Sequence, residues 1–249
     1  MIYKKSPEEI ASMRRGGKIV ADTLARLREA LHPGITTAEL DRIAEAAITS
    51  AGATPSFKGY RGYPASICTS PNEVIVHGIP SKDVVLAEGD IVSLDVGAYI
   101  EGFHADSAWT FPVGDVDARV AELLKVTEAS LDAAIEKCIP GARLGDVGAA
   151  VQEVAEPAGF SIVREYAGHG VGRALHEEPS IPNYGPPGRR EVLAPGMTFA
   201  IEPMVNLGRP ETKTLGDGWT VVTADGSVSA HFEHTVAITD HGHEILTKL

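Results

Sequence analysis

The chain has 249 residues, 43% of them hydrophobic, which is enough for one large domain with its own core. A formal net charge of −12, with no basic run longer than the pairs Lys4-Lys5 and Arg14-Arg15, argues against nucleic acid as a main partner. Two cysteines, Cys68 and Cys138, are too few for a disulfide framework and lack zinc-site spacing. We expect a cytoplasmic protein, because no segment approaches the ~20 apolar residues of a membrane span and the first residues lack the apolar core of a signal peptide.

Two helices are predicted at the start of the chain, each by a capping box. Ser6-Pro7-Glu8-Glu9 supplies an N-cap, a proline at the first helical position and the glutamate of the box, so a helix should run to about Leu31. His32-Pro33-Gly34 stops it. Thr36 with Glu39 then opens a second helix of about twelve residues.

The stretch 52–71 is rich in glycine and aromatic residues and should form a loop rather than a regular element. Its aromatic side chains Phe57, Tyr60 and Tyr63 would form a pocket wall or, equally well on pattern alone, cover an edge of the core. A strand is predicted over 72–79.

The next predicted element is a hairpin of two β-rich strands around a Glu101-Gly102 turn, and each strand carries one aspartate among residues that otherwise look buried. With the hairpin centred between Ile100 and Glu101, Asp95 and Asp106 lie directly opposite each other. Two carboxylates ~4 Å apart repel by roughly 4 kcal/mol at an effective dielectric of ~20. A shared proton or a bound cation would relieve this repulsion. Alternatively, one aspartate caps a turn and the other contacts an arginine.

Beyond the hairpin, the order of helix, helix and strands returns. A helix is predicted from Asp117 to Cys138, Pro140-Gly141 stops it, and a second helix covers about 144–158. Strands dominate from Ile162 to the end, with a hairpin turn at Asp225-Gly226.

The returning order is an internal repeat with a constant offset of 107 residues. Three pairs share this offset: Pro33-Gly34 with Pro140-Gly141, Gly89 with Gly196, and Asp95 with Glu202. We therefore expect a single domain over 1–249 with halves of approximately 1–115 and 116–249. Glu233 should be the counterpart of Asp106 in the second half. Two halves that face each other would bring four carboxylates together.

Four carboxylates in a mostly apolar setting cannot all be ionised without cations, so the sequence predicts a dinuclear metal centre. His169, flanked by glycines, is the candidate for a softer ligand, although a lone histidine in a glycine-rich loop is more often structural. One histidine among oxygen ligands favours Mn, Fe or Co and does not exclude Zn. Two bridged ions hold a hydroxide and polarise a carbonyl, which is the chemistry of amide hydrolysis. His77 and His176, which precede short turns, could hydrogen-bond the scissile group and the developing oxyanion.

Together these residues resemble the signature of the methionine aminopeptidases of type I. The five signature positions are Asp95, Asp106, His169, Glu202 and Glu233, and the flanks 72–80, 168–172 and 232–235 resemble the family as well. The match covers nearly the whole chain. It implies the α+β pita-bread fold of creatinases and aminopeptidases, with two pseudo-symmetric helix-helix-strand halves around a central antiparallel sheet. It also implies removal of the N-terminal methionine ahead of a small second residue, by a hydroxide that bridges the metals.

The resemblance further implies a role for each residue. Asp106 and Glu233 would bridge two divalent ions, either Co, Mn, Fe or Zn. Asp95 would hold one ion, and His169 and Glu202 the other. The implied catalytic residues are His77, His176 and Glu202, the last of which helps to move protons. The implied methionine pocket is lined by Tyr60, Tyr63, Cys68, His77, His176 and Trp219. A site for one monovalent cation is implied at Asn72, Val74 and Ser229.

Two positions depart from the family pattern. Phe57 stands where a smaller residue, often cysteine, is expected, and Leu175 stands where phenylalanine usually precedes His176. Both departures concern the shape of the pocket rather than the metals. The implied partners are a peptide or nascent chain with N-terminal methionine and the ribosome, with no direct contact to nucleic acid or a membrane, and the protein should be a monomer.

Two other functions share parts of this pattern. A prolidase or aminopeptidase P has the same metal ligands but usually carries a separate N-terminal domain, for which this chain has no room. A non-catalytic relative that keeps the fold as a binding surface loses metal ligands, whereas all five positions are occupied here. We therefore expect the bare catalytic domain of a methionine aminopeptidase.

Overall fold

The four predicted helices form close to their predicted bounds in the computed structural model, which describes residues 1–248. They are α1 at Pro7–Ala30, α2 at Thr37–Ser50, α3 at Ala118–Ile135 and α4 at Leu144–Ala155. Ser6 and Glu9 make the reciprocal capping box of α1, and the Thr36 side chain accepts from the Glu39 N–H at the start of α2. These ends depend on local hydrogen bonds, which explains why the sequence predicts them.

The strands pair antiparallel throughout. Their bounds are β1 Thr54–Pro55, β2 Ile67–Pro71, β3 Val74–Val76, β4 Ile91–Ile100, β5 Phe103–Pro112, β6 Ser161–Ile162, β7 Gly168–Gly170, β8 Glu177–Ile181, β9 Thr198–Ile201, β10 Met204–Asn206, β11 Thr212–Thr214, β12 Val221–Thr223, β13 Ser229–His231, β14 His234–Thr239 and β15 Gly242–Ile245. They form a sheet of β1-β4-β2 with β5 beside β4, a sheet of β15-β14-β9-β7-β8, and two three-stranded sheets, β13-β10-β6 and β11-β12-β3. The predicted loop over 52–71 is thus only partly a loop, because it ends in β2.

The central hairpin forms around Glu101-Gly102 but in a different register from the predicted one. The two turn residues have φ of 52° and 87°, as a two-residue hairpin turn that matches the strand twist requires. Asp95 consequently pairs with Ala108, and Asp106 pairs with Gly97. The prediction of direct opposition was wrong. The two aspartates are diagonal neighbours on one face of the hairpin, because residues two apart on a strand share a face.

The predicted hairpin turn at Asp225-Gly226 is also wrong in one respect. The chain does turn there, and Gly226 has a φ of 74°. The strands on either side belong to different sheets, however, since β12 pairs with β3 and β11 while β13 pairs with β10. A glycine turn predicts a change of direction, but the partner of each strand depends on the sheets that surround it.

The two halves repeat individual contacts as well as elements. The equivalent contacts are the bridges of Thr36 with Val85 and of Arg143 with Val192, and the hydrogen bonds from Gly34 N–H to the Leu86 carbonyl and from Gly141 N–H to the Leu193 carbonyl. Gly34 and Gly141 have φ of 96° and 90°, which glycine adopts at little cost. Each Pro-Gly pair therefore makes the same turn ahead of the second helix of its half.

Each half has its own apolar core, and the halves meet along β5. Helices α1 and α2 pack on β4, whereas α3 and α4 pack on β9 and β14. At the junction the Thr235 hydroxyl accepts from the Asp106 N–H at 3.0 Å and donates to the Asp106 carbonyl at 2.8 Å. The Glu233 N–H donates to the Ala108 carbonyl at 2.8 Å. These hydrogen bonds between the halves, two to the Thr235 side chain and one between backbone groups, therefore fix Asp106 and Glu233 relative to each other. Within residues 1–248, none of the helices has the length and apolar character needed to cross a membrane.

Candidate active site

A cavity of about 440 Å³ opens where the two halves meet. All five predicted metal ligands line it, together with every residue predicted for catalysis or the methionine pocket. These are Asp95, Asp106, His169, Glu202 and Glu233, with His77, His176, Tyr60, Tyr63, Cys68 and Trp219. Residues far apart in the sequence therefore face one space of a size suited to a side chain and a peptide bond.

The acidic end of the cavity is built by strands of both halves. Asp106 from β5, His169 from the middle of β7 and Glu233 from the link between β13 and β14 offer ligand atoms that all lie within 4.8 Å of one another. The Nε2 of His169 is 3.5 Å from Oε1 of Glu202, which directly follows β9. Asp95 lies on β4, which pairs with β5, the strand of Asp106, and it completes the group. This set of four carboxylates and one imidazole suits a divalent cation.

Unpaired carboxylate oxygens indicate whether a cation fits this site. One carboxylate oxygen each of Asp95, Asp106 and Glu233 is buried and lacks a hydrogen-bond partner among residues 1–248. Buried polar atoms in folded proteins are nearly always paired, so three orphaned acceptors in one place need an explanation. Cations that accept electron density from these oxygens would satisfy all three. The residues present therefore fit divalent metal.

Burial raises the pKa of all four carboxylates, and repulsion by neighbouring carboxylates adds to the effect for Asp106, Glu202 and Glu233. Burial raises the pKa of Asp95 to about 7. The pKa of Asp106 and that of Glu202 lie well above their ordinary values, because both side chains are buried and the charge of Asp95 is near. The pKa of Glu233 is also raised well above its ordinary value, mainly by burial and to a lesser extent by the charge of Asp106. Burial lowers the pKa of His169 to about 4, so its ring is neutral and able to bind metal at neutral pH.

These pKa values predict that metal binding releases protons. The raised pKa values favour protonated carboxylates before metal binds, with Asp95 about half protonated at pH 7, and ligands must lose these protons to coordinate an ion. We expect on the order of one to three protons to be released when Mn²⁺ binds at pH 7, and the affinity to increase from pH 5 to pH 8. Calorimetric titration in two buffers of different ionisation enthalpy measures the number. Binding without proton release at pH 7 would contradict the raised pKa values.

The two predicted catalytic histidines stand on the walls of the cavity near this cluster. The ring of His176 lies 4.1 Å from that of His169 and stacks on Tyr60 at 5.3 Å, and its side chain remains exposed to the cavity. His77 has a left-handed φ of 60°, uncommon for a residue with a side chain, and its ring lies 6.3 Å from that of Trp219. Desolvation lowers the pKa of both histidines, and each is a neutral N–H donor at neutral pH.

The other end of the cavity is apolar. Tyr63, Cys68, Phe57 and Leu175 form one buried cluster, against which Tyr60 and Trp219 pack. The Tyr63 hydroxyl donates to the Gly78 carbonyl at 2.9 Å, which leaves its ring as part of the wall. Both departures from the family pattern thus lie in the same wall, where Phe57 and Leu175 are 8% and 2% exposed.

His231 also lines the cavity, although it was not among the residues predicted from the sequence. Its Nε2 lies 3.7 Å from Oε2 of Glu202 and is buried with no hydrogen-bond partner in the described part of the chain. Glu202 therefore has a histidine near each carboxylate oxygen. Two signals pointed to His231: it lies on a predicted strand, and it precedes Glu233 by two residues, the spacing at which side chains share a face.

The residues predicted for a monovalent cation lie apart from the cavity lining. The Ser229 N–H donates to the Asn72 carbonyl at 2.9 Å, and Val74 begins β3, which pairs with β12. The Asn72 side chain donates to Asp90 at 2.9 Å. Asn72 and Ser229 are therefore close in space, as the prediction requires.

Comparisons with known proteins show which family the chain belongs to. The family model of metallopeptidase family M24 matches residues 11–240. Methionine aminopeptidase 1 of Bacillus subtilis is 54% identical over 249 residues, which cover 100% of both chains. The crystal structure of methionine aminopeptidase from Thermotoga maritima has a TM-score of 0.98 and 50% identity over 100% of both chains.

Prolidase from Pyrococcus furiosus is more distant, with a TM-score of 0.80 and 24% identity over 99% of this chain and 65% of its own. That likeness shows the fold alone. The predicted pita-bread fold and the predicted family are thus both confirmed. The chain belongs to metallopeptidase family M24, among its methionine aminopeptidases.

Proposed function

We propose that this chain removes the N-terminal methionine from peptides and nascent proteins whose second residue is small. The observation that carries this function is that one cavity combines an acidic end with an apolar end. One end holds four carboxylates with His169, and the carboxylates of Asp106 and Glu233 are buried. The other end is an apolar wall of aromatic rings that includes a cysteine. A thioether side chain is apolar and polarisable, and it packs well against such aromatic rings.

Two divalent ions would be held by the acidic end. Asp106 and Glu233 are the proposed bridges, Asp95 the further ligand of one ion, and His169 and Glu202 those of the other. The orphaned oxygens of Asp95, Asp106 and Glu233 support metal binding, and the position of Asp106 and Glu233 at the junction of the halves supports their proposed role as bridges. When bound, such a pair of ions activates water at neutral pH and polarises the scissile carbonyl.

The chain's own side chains would do the remaining work. His77 and His176 are neutral and donate hydrogen bonds to the scissile group and to the oxygen on which charge develops. Glu202, whose Oε2 lies 3.7 Å from Nε2 of His231, would accept a proton and deliver it to the leaving amine. Tyr60, Tyr63, Cys68 and Trp219 exclude water from the methionine side chain.

The setting of the reaction is part of the same proposal. The protein would act in the cytoplasm as a monomeric single domain over 1–249, on nascent chains at the ribosome, because these are the source of N-terminal methionine. The ions would be Co, Mn, Fe or Zn, with one monovalent cation at Asn72, Val74 and Ser229. Metal analysis of protein purified without added metal, paired with an activity series over the four metals, identifies the ions.

Peptide cleavage tests the activity directly. We expect metal-dependent release of methionine from Met-Ala-Ser, with Ala-Pro dipeptides left largely intact. Protein treated with a chelator is the control and should recover activity when metal is restored. Fast cleavage of Ala-Pro without methionine release would instead assign the chain to prolidase activity.

A further inference from the structure

A buried ion pair joins the N-terminal arm, residues 1–6, to the segment that carries His176. Lys5 Nζ lies 2.5 Å from Oε2 of Glu177, and the two side chains are only 4% and 6% exposed. Glu177 directly follows His176 in the chain. Building on the function proposed above, we propose that Lys5 is a positioning residue, which acts through Glu177 to hold His176 at the reacting carbonyl.

This pair differs from the other ion pairs of the chain. Every other pair of a lysine or arginine with an acid in residues 1–248 has side chains at least 26% exposed. Exposed pairs contribute little to stability, whereas two buried charges persist only with close contact and further hydrogen bonds. Both charges here have such further hydrogen bonds. Glu177 Oε1 accepts from the Ala174 N–H at 3.2 Å, and Lys5 Nζ donates to the Tyr3 carbonyl at 3.4 Å. The direction of the Glu177 side chain is therefore fixed.

Both the backbone and the side chain of Lys5 hold the arm in place. The Lys5 N–H donates to the Gly196 carbonyl at 2.7 Å, just before β9. The Lys5 side chain then passes against Gly172, where an added Cβ would lie 2.3 Å from Lys5 Cε. The Gly172 carbonyl accepts from the His104 N–H of β5 at 2.8 Å. Glycine at 172 thus leaves room for Lys5 to reach Glu177 beneath the segment 172–177.

That segment connects the strand of His169 to β8, and it sets the place of His176. The His176 ring contacts the rings of Tyr60 and His169 on the cavity side. Its backbone is continuous with Glu177, so a movement of Glu177 turns the peptide unit that the two residues share. A misplacement of about 1 Å at a reacting group lowers the rate by about 10²-fold. Loss of the ion pair should therefore lower the reaction rate, although Lys5 itself does not contact the substrate.

Lys5→Met removes the charge and keeps an unbranched side chain that is one atom shorter than that of lysine. We expect kcat for Met-Ala-Ser to fall roughly 10- to 100-fold while KM and bound metal stay near wild type. Lys4→Met is the matched control, because Lys4 is the exposed neighbour of Lys5, and it should behave as wild type. An unchanged kcat in Lys5→Met overturns the positioning role.

A double-mutant cycle separates positioning from a general loss of stability. In protein that already carries His176→Ala, Lys5→Met should change kcat by less than about two-fold, because its effect passes through His176. The same 10- to 100-fold loss in both backgrounds would show that Lys5 acts elsewhere, and would overturn the inference.

Removal of one partner leaves a buried charge, which can prevent folding of Lys5→Met. The variant Lys5→Met/Glu177→Gln removes both charges and should fold with metal bound, yet retain the loss in kcat. Wild-type kcat in this folded double variant overturns the inference while methionine release by the wild type stands. Absence of methionine release from the wild type would overturn the proposed function itself, and this inference with it.

Discussion

Asp106→Asn and Glu233→Gln should each abolish methionine release and impair the binding of both metal ions. Each carboxylate is proposed as a bridge, and hydrogen bonds hold both residues at the junction of the halves, from the Asp106 N–H to the Thr235 hydroxyl and from the Glu233 N–H to the Ala108 carbonyl. An amide cannot replace the second anionic oxygen of a bridge. Metal contributes several kcal/mol to transition-state stabilisation, so the loss in kcat/KM should be about 10³-fold or more.

The fold of these variants should survive without metal. Burial raises the pKa of Asp106 and of Glu233 because it disfavours their charged form, and an amide of the same shape carries no charge to bury. Calorimetric titration with Mn²⁺ measures the bound metal, and thermal unfolding checks the fold. Asp95→Asn is the matched variant and should impair mainly one ion. Stoichiometric binding of two ions by both bridge variants would contradict the assigned roles.

His176→Ala should lower kcat by roughly 10²- to 10³-fold, the usual cost of losing one donor to a developing oxyanion. The side chain is exposed to the cavity, so its removal should leave the fold and the metal content near wild type. Because the hydrogen bond strengthens as charge develops, the loss should appear in kcat and kcat/KM alike, with little change in KM.

Steady-state kinetics and metal analysis of the same preparation measure these effects. His241→Ala is the control, since His241 is an exposed histidine outside the cavity lining, and it should match wild type. Loss of a metal ion from His176→Ala would make His176 a ligand. Activity within a few-fold of wild type would make it a bystander, and either result rejects the proposed role.

The helices and the ligand set were predictable because their signals are local or repeated. The capping box of Ser6 and Glu9 acts within four residues, so its outcome hardly depends on the rest of the chain. The offset that relates Asp95 to Glu202 reflects two halves that fold alike, and the structure repeats the bridges of Thr36 and Arg143 at that same offset.

Pairing errors arose where the sequence permits several partners. Moving the centre of the hairpin by one residue changes which residue faces Asp106, and only the left-handed conformations of Glu101-Gly102 within the formed sheet select the register. Asp225-Gly226 signals a turn, but its flanking strands find partners in different sheets.

The amino-acid sequence by itself determined where the helices begin, the repeat and the identity of the residues that can bind metal, because these follow from side-chain chemistry at short or regular spacing. Only the tertiary structure decided how those residues act together. The orphaned oxygens of Asp95 and Asp106 and their raised pKa values exist because burial removes water from both. The pairing of Lys5 with Glu177, 172 residues apart, likewise depends on the chain bringing both charges into one water-excluded place.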